Sequence, residues 1–399
     1  MTTPGAPVRD RTAAVLAGFL GWTLDAFDFF LVVMTLTAIA QEFHRTDREI
    51  AYSLGLTLAF RPVGALIFGL LSDRFGRRTP LMLNLVFYAV IEVLTGFSTT
   101  YGAFLLLRAL FGIGMGGEWG VGASLVMEKV PPRWRGVFSG LLQQGYAFGY
   151  LLAAVAYWYV FPRWGWRPLF FIGGLPALLA VFVRAQVTES EVWLRTRERT
   201  WHALGGTLLK QIPLFLYLTV LMALMNMSSH GTQDLFPTVL QRSWHLGPGP
   251  RSGITVISMV GALLGGVLFG HWSQTLGRRR TIVAALLGAV LVIPLWAYAP
   301  SFGLLVLGAF LMQFLVQGAW GVIPAHITEL VPDQVRGAMP GFAYQCGALI
   351  AGIMPPLQTK VAGTLGYPAT MALTAASAFI LCVVVTALGR ERRGVVYGS

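Results

Sequence analysis

The sequence has few charged residues. Asp, Glu, Lys and Arg make up only 12% of its 399 residues, about half the fraction of a soluble globular protein, whereas 55% of the residues are hydrophobic. This composition excludes an ordinary soluble protein and is typical of a chain that crosses a lipid bilayer many times.

Cysteine and histidine are also rare, with 2 and 6 residues. Cys346 and Cys382 lie in apolar segments, which favours plain helix positions over a disulfide framework. The sequence contains no Cys/His cluster with metal-ligand spacing, no phosphate-binding loop and no nucleophile elbow. We therefore expect no enzymatic activity, no catalytic residues, no metal site and no organic cofactor.

The net charge of +12 does not indicate a nucleic-acid-binding protein. The basic residues stand in short clusters between apolar runs, which is the positive-inside pattern of membrane proteins. Their bias towards the two termini and alternate loops predicts that both termini are cytoplasmic, in a multi-pass protein of the cell's inner (plasma) membrane. The first apolar run is too long for the core of a signal peptide and contains Asp25 and Asp28, so we predict it as the first membrane helix.

Apolar runs of about 20 residues predict an all-α membrane protein with twelve transmembrane helices. The predicted spans are 12–40, 48–71, 80–98, 101–128, 137–161, 166–185, 208–241, 252–273, 281–299, 302–330, 338–360 and 367–389.

The two halves of the sequence repeat each other at a constant offset of 201 residues. The decapeptide Gly69–Arg78 aligns with Gly270–Arg279, and Trp119 aligns with Trp320. One offset that links separated matches predicts a duplication of six helices. The predicted domains are an N-terminal six-helix bundle (1–185), a cytoplasmic linker (186–207) and a C-terminal six-helix bundle (208–399).

A polar stripe lies inside the seventh predicted span. Asn226, His230 and Asp234 follow each other at intervals of four residues and therefore share one helical face, with Gln233 one turn away. Pro237 cannot donate an N–H group, so the carbonyl of Gln233 is left free and the helix should bend. Such a stripe is costly in hydrocarbon unless it faces water or a ligand.

This stretch resembles the signature of Jen-type monocarboxylate:proton symporters, the lactate and pyruvate carriers of the major facilitator superfamily. The matching positions are Asn226, Ser229, His230, Thr232, Gln233, Asp234 and Thr238. The resemblance implies a fold of two six-helix repeats, a small monocarboxylate and a proton as partners, and the proton gradient as driving force. It also implies a chain that works as a monomer in the lipid bilayer.

The decapeptide 69–78 resembles the cytoplasmic loop motif of the same superfamily. Asp73 can accept hydrogen bonds from a neighbouring helix end, while Arg77 and Arg78 hold the cytoplasmic side, so we interpret the three as a gate. A conventional loop that only sets the topology is the alternative. The second copy carries Gln274 in place of the acid, which predicts a weaker contact.

Two carboxylates, Asp25 and Asp28, lie one turn apart in the first span. They should not both be ionised without a cation, so one is expected to bind a proton, unless both are structural. Arg61 in the second span is the natural bidentate partner of a carboxylate. The resemblance assigns Arg61 to substrate recognition; a fixed ion pair with Asp25 or Asp28 is the alternative.

The fourth span contains Arg108 and Glu118 around a run of glycines, which we attribute to close helix packing. The position of Arg108 resembles the superfamily's fourth-span arginine, often tied to proton coupling; structural pairing with Glu118 or another acid is the alternative. Glu92 is expected to be structural. Gln345 in the eleventh span resembles a residue that influences the substrate in Jen-type carriers.

The favoured hypothesis is a proton-coupled importer of lactate or pyruvate that works by alternating access. Arg61 would hold the carboxylate, while Asn226, His230, Gln233 and Gln345 contact the substrate. The residues assigned to proton coupling are Asp25, Asp28, Asp234, Arg108, Glu118 and His230. Two alternatives remain open, namely a proton symporter for another acid (sialic, dicarboxylic or aromatic) and a membrane receptor that binds such an acid without transporting it.

Overall fold

The computed structural model describes residues 8–198 and 200–398, which form an all-α protein. Short 3-10 turns precede α5 and α16. The helices of the first half are α1 (Val8–Glu42), α2 (Asp47–Phe75), α3 (Arg78–Gly96), α4 (Tyr101–Lys129), α5 (Arg135–Gln143), α6 (Gly145–Trp164), α7 (Arg167–Ile172) and α8 (Pro176–Gln186). Two short helices follow, α9 (Glu191–Thr196) and α10 (Trp201–Lys210).

The helices of the second half are α11 (Ile212–Gln233), α12 (Phe236–Arg242), α13 (Pro248–Leu276), α14 (Arg278–Ala297), α15 (Phe302–Leu330), α16 (Met339–Ala351), α17 (Met354–Leu365) and α18 (Tyr367–Leu388). Within the described residues, nine helices are long and apolar enough to cross a membrane, counting α11 and α12 as one.

Each of the twelve predicted spans is occupied by one helix or by two consecutive helices. Four spans are pairs: α5 with α6, α7 with α8, α11 with α12, and α16 with α17. In three of these pairs the second helix has proline in its first turn, where the missing N–H group costs nothing and the preceding helix must end. The seventh span begins at Ile212 rather than near residue 208, because α10 ends at Lys210 and Pro213 opens α11.

The two predicted bundles meet through helices that the repeat relates to each other. Helix α5 packs against α13 and α15, and its counterpart α16 packs against α2 and α4. A glycine pair allows the second contact, since a Cβ atom added to Gly120 would lie 2.7 Å from the Cα atom of Gly341. The offset of 201 residues that relates the two halves of the sequence therefore also relates the helix contacts between them.

Close packing also explains the glycine run of α4. A Cβ atom at Gly112 or Gly116 would overlap the backbone carbonyl of Thr57 or Arg61 on α2. Gly64 on α2 is equally constrained by the carbonyl of Ile113. The backbones of α2 and α4 touch at these points, as is common for small residues at interfaces between membrane helices.

We predict that Gly64→Ala destabilises the protein by about 1–3 kcal/mol, because the added methyl group must push two helix backbones apart. The matched control is Gly55→Ala on the same helix, where a Cβ atom meets nothing within 4 Å. Thermal unfolding in detergent measures the difference. Equal unfolding temperatures for the two variants would show that α2 and α4 are not held at this distance.

Candidate functional site

A network of buried ion pairs lies at one end of the helix bundle. We call this end the basic face and define it by Arg77, Arg135, Arg278 and Arg336. On this face the Asp73 carboxylate accepts hydrogen bonds from the backbone N–H groups of Gly337 (2.7 Å) and Ala338 (2.9 Å), at the start of α16. Arg77 pairs with Asp73 at 2.5 Å and with Glu128 at 2.9 Å, and these side chains are fully buried. The contact fastens α2 of one predicted bundle to α16 of the other.

The repeat places a second, less charged contact on the same face. Arg278 pairs with Glu329 at 3.0 Å, as Arg77 pairs with Glu128. With its amide oxygen turned towards the start of α5, Gln274 accepts hydrogen bonds from the N–H groups of Arg135 (3.0 Å) and Gly136. An amide thus takes the place that Asp73 occupies in the first copy.

The segment between the bundles reinforces this closure. The carboxylate of Glu189 accepts hydrogen bonds from the backbone N–H groups of Arg77 (2.8 Å) and Arg78 (3.2 Å). The indole of Trp193 donates to the backbone carbonyl of Asp73 at 2.7 Å. Burial lowers the pKa of Arg77, but the carboxylates of Glu128 and Asp73 outweigh it and leave that pKa above its usual value, so the ion pairs persist.

A second group of polar residues lies deep between the bundles. We call it the central cluster, and it consists of Trp22 (α1), Asp25 (α1), Arg61 (α2), Tyr146 (α6) and Tyr344 (α16). The guanidinium carbon of Arg61 lies 5.9 Å from the ring centroid of Tyr344. The Trp22 ring lies 5.5 Å from Tyr146 and 6.4 Å from Tyr344. Residues of both predicted bundles therefore surround one guanidinium group.

Arg61 is buried but makes no close ion pair. No carboxylate oxygen of a described residue lies within 4.0 Å of its guanidinium nitrogens. Among the described residues, Nε and Nη2 of Arg61 and both oxygens of Asp25 are buried without a hydrogen-bond partner. The fixed pair with Asp25 or Asp28, one of the two alternatives for Arg61, is thus not present in this structure.

Further carboxyl groups flank Asp25. Asp28 and Glu118 are buried, and their oxygens also have no hydrogen-bond partner in the described part of the chain. A Cβ atom at Gly173 would lie 2.7 Å from Asp28, and one at Gly21 would overlap the Glu118 carboxyl group. Helix α1 is therefore lined by three carboxyl groups, two of its own and one from α4.

Arg108 has a partner of its own. It pairs with Glu92 on α3 at 2.8 Å and donates to the hydroxyl of Thr95 at 2.7 Å. Its guanidinium carbon also lies 4.7 Å from the ring centroid of Phe111. The acid that holds Arg108 is therefore Glu92 and not Glu118, which leaves Glu118 free beside α1.

The polar stripe of the seventh span divides into two parts. His230 and Asp234 form a pair at 3.1 Å, with 44% and 33% of their side chains exposed. Asn226 is buried and donates to the carbonyl of Met222 on its own helix at 2.7 Å. Helix α11 ends at Gln233, just before the bend that Pro237 predicts.

The side-chain amides assigned to the substrate differ in whether they already have hydrogen-bond partners within the protein. Gln233 donates to the side-chain oxygen of Gln313 at 2.7 Å, so one of the two N–H groups of its amide is already used. Gln345 is buried, and neither of its amide atoms has a partner within the described residues. Of the amides that sequence analysis assigned to the substrate, Gln345 alone has both its donor and its acceptor unpartnered.

Sequence analysis missed the aromatic members of the cluster, Trp22, Tyr146 and Tyr344. The ring of Tyr344 lies within 4.6 Å of the Trp119 ring and 5.8 Å of the Trp320 ring, by centroid. The repeat had matched these two tryptophans, but nothing in the sequence indicated that one tyrosine would lie between them.

Comparison with known proteins agrees with this architecture. Residues 13–206 match a family model described as sugar (and other) transporter, and residues 216–396 match one described as Major Facilitator Superfamily. A solved structure of a proton:xylose symporter of that superfamily has a TM-score of 0.75 at 19% identity, over 98% of each chain. The predicted fold class, an all-α membrane protein of two six-helix repeats, is confirmed.

Two relatives carry descriptions of transporters for organic compounds. The chain is 29% identical to a carboxylic acid transporter protein homolog of Saccharomyces cerevisiae, over 94% of this chain and 67% of the relative. It is 30% identical to a probable 4-methylmuconolactone transporter of Cupriavidus pinatubonensis, over 87% of this chain and 82% of the relative. The prediction that the chain is not an enzyme is confirmed by these similarities.

Proposed function

The chain belongs to the major facilitator superfamily of transporters, and on that premise we propose that it carries a small organic acid together with a proton. The finer proposal is a monocarboxylate of the size of lactate or pyruvate. It is supported by the polar stripe of the seventh span and by the yeast relative described as a carboxylic acid transporter protein homolog.

The observation that carries the proposal is the buried guanidinium of Arg61, which has no close carboxylate partner among the described residues. Burial of an ion without a partner costs several kcal/mol, so such a group is retained where a ligand supplies the opposite charge. A guanidinium matches a carboxylate in a bidentate geometry. We assign Arg61 to the substrate carboxylate, with Gln345, Asn226, Gln233 and His230 around the rest of the molecule.

The proton has several possible acceptors beside this site. Asp25, Asp28 and Glu118 are buried without hydrogen-bond partners among the described residues, and Asp234 is paired with His230. A carboxylate anion that enters beside them favours the protonated form of the nearest acid. Import of one anion with one proton is electroneutral and is therefore not opposed by a negative-inside membrane potential.

Alternating access would follow from movement of the two bundles around this site. We propose that the basic face is cytoplasmic, in the plasma membrane, and that Asp73, Arg77 and Arg78 form its gate. The contact of Asp73 with the start of α16 supports this as the closed state of the gate, in which the site would be loaded from the opposite side. Neither ATP nor a metal has a role in this scheme.

A larger acid is the second candidate. The aromatic rings of Trp22 and Tyr344 in the central cluster are suited to a flat, conjugated body, and a relative is described as a 4-methylmuconolactone transporter. The same charged residues would hold either substrate.

Uptake into liposomes tests the proposal. Purified protein would be given labelled lactate, pyruvate, nicotinate, cis,cis-muconate or sialic acid under an inward proton gradient. We expect accumulation that a protonophore abolishes, and competition among the acids identifies the preferred one. Binding of an acid without its accumulation would indicate a receptor. If the protein neither binds nor accumulates any of these acids, it is not an organic-acid carrier.

We predict that Arg61→Gln raises the Kd of the transported acid about 100-fold, because removal of one partner of a buried charge pair costs about 3 kcal/mol. Arg45→Gln is the matched control, since Arg45 belongs to an exposed pair with Glu49. Isothermal titration in detergent measures both. An unchanged affinity in Arg61→Gln would remove this residue from the site.

We predict that Asp25→Asn abolishes the acceleration of uptake by an inward proton gradient but leaves exchange of labelled for unlabelled acid intact, because only the proton acceptor is lost. Asp28→Asn and Asp234→Asn, measured in the same way, locate any second acceptor. Asp47→Asn on the exposed start of α2 is the control. Normal proton dependence in Asp25→Asn would move the coupling site to another carboxyl group.

A further inference from the structure

Unpartnered hydrogen-bond donors from both bundles gather around Tyr344. The indole nitrogens of Trp22 and Trp320 are buried and have no partner within the described residues, as is the case for Nε and Nη2 of Arg61. All three side chains lie around the Tyr344 ring, with centroid separations of 6.4 Å and 5.8 Å for the indoles and 5.9 Å for the guanidinium carbon.

These donors are not explained by packing alone. An indole N–H group can only donate, and leaving it buried without an acceptor is unfavourable. Trp119 shows that the fold can satisfy such a group, since this repeat counterpart of Trp320 packs against the same tyrosine and donates to Gln143 at 3.4 Å. The indole N–H groups of Trp22 and Trp320 therefore require an acceptor that comes from outside the protein.

We propose that Trp22 and Trp320 bind the carboxylate of the transported acid together with Arg61. The inference rests on the proposed function and adds two specificity-determining residues to it. Four nitrogen donors match the roughly four lone pairs of one carboxylate group. Because Trp22 belongs to α1 and Trp320 to α15, one carboxylate contacts both predicted bundles, and its binding favours their approach. An amide analogue brings its own N–H donors and is rejected.

The test replaces each indole by a ring without a donor. Trp22→Phe and Trp320→Phe should each raise the Kd for the acid that the wild type accumulates about tenfold, while Trp119→Phe stays within about twofold. Without acid, all three variants lose part of a buried ring and should unfold at a lower temperature than the wild type. Trp119→Phe also loses a hydrogen bond within the protein, so Trp22→Phe and Trp320→Phe should lose no more stability than Trp119→Phe does.

Two results overturn this inference. One is an unchanged affinity for the acid in both Trp22→Phe and Trp320→Phe. The other is a tenfold loss of affinity in Trp119→Phe as well, which indicates that the three rings act through packing. If the wild type neither binds nor accumulates any acid of the panel, the proposed function fails first, and the inference falls with it.

A separate observation concerns the segment that follows α18. Residues 389–398 lie on the basic face, and Tyr397 is buried there. Its ring lies between two guanidinium groups, with the guanidinium carbons of Arg135 and Arg336 at 3.5 Å and 3.6 Å from the ring centroid. The offset of 201 relates these two arginines, so each predicted bundle contributes one.

Hydrogen bonds fix the segment in this position. The Tyr397 hydroxyl donates to Thr328 at 3.3 Å, and the carbonyl of Val395 accepts from Arg135 at 2.5 Å. The N–H group of Gly398 donates to Asp333 at 2.7 Å. Burial raises the pKa of Tyr397 more than the two arginines lower it, so the ring between the cations is a neutral phenol.

We infer that Tyr397 is an autoinhibitory contact that stabilises the closed basic face. Opening this face separates Arg135 from Arg336, and the ring then loses at least one of its two cations. A desolvated cation–π contact that exists only while the face is closed is strong enough to shift the equilibrium between the open and closed states about tenfold towards the closed state. Release of the segment would therefore accelerate opening, whichever solute the protein carries.

A cysteine reporter tests this inference. Ser139 on α5 is fully buried and accepts a hydrogen bond from the Ala325 N–H group at 3.0 Å, so Ser139→Cys should react with maleimide only when the basic face opens. In a Cys346→Ala, Cys382→Ala background, Tyr397→Leu should increase the labelling rate about tenfold, because leucine fills the space without a π face. Tyr397→Phe keeps the ring and should label at the parental rate.

Equal labelling of the Leu and Phe variants would overturn the inference. A lower unfolding temperature in Tyr397→Leu without faster labelling would likewise overturn it, since the residue would then only support the fold.

Discussion

The cost of burying a charge in a membrane protein organises this structure. Two groups of buried ions, those of the basic face and those of the central cluster, differ in how that cost is met. On the basic face Arg77 contacts two carboxylates, and Asp73 also caps the start of α16, so charge and hydrogen-bonding capacity are satisfied within the protein. In the central cluster Arg61 and Asp25 do not pair closely, and Nε and Nη2 of Arg61 and both Asp25 oxygens have no hydrogen-bond partner among the described residues. The paired ions of the basic face can hold helices together, whereas the unpaired ions of the central cluster can bind a charged ligand.

The internal repeat is preserved on the basic face but not in the central cluster. The ion pairs of the basic face occur twice at the same offset: Arg77–Glu128 with Arg278–Glu329, and Arg336–Glu128 with Arg135–Glu329. The centre is not duplicated, because Asn226 stands opposite Asp25 and Ala262 opposite Arg61. A symmetric closure needs matching contacts from both bundles, whereas one anion needs one guanidinium. The structure thus has nearly symmetric ion pairs on the basic face, whereas the buried charges of the central cluster belong to the first predicted bundle.

Sequence analysis predicted the helices well, since apolar length and proline positions are local signals. It also found Asp25, Arg61 and the 69–78 decapeptide, because charge within an apolar run is conspicuous. It did not predict which acid holds Arg108, or that Asn226 donates to its own helix, since partner choice depends on helix rotation and tilt. Trp22, Tyr344 and Tyr397 were missed because buried aromatic residues are common in membrane helices, and only their spatial neighbours distinguish them.

The composition of the centre also bears on the direction of proton coupling. Around Arg61 and Arg108 the protein buries four carboxyl groups, those of Asp25, Asp28, Glu92 and Glu118, so fully ionised acids would outnumber the cations. An entering anion adds to this excess. If it displaced a proton, as antiport requires, negative charge would rise twice in a site with little water to screen it. If it arrives with a proton, the net charge is unchanged. Under the proposed function, charge balance at this site therefore favours symport over antiport, whichever acid is carried.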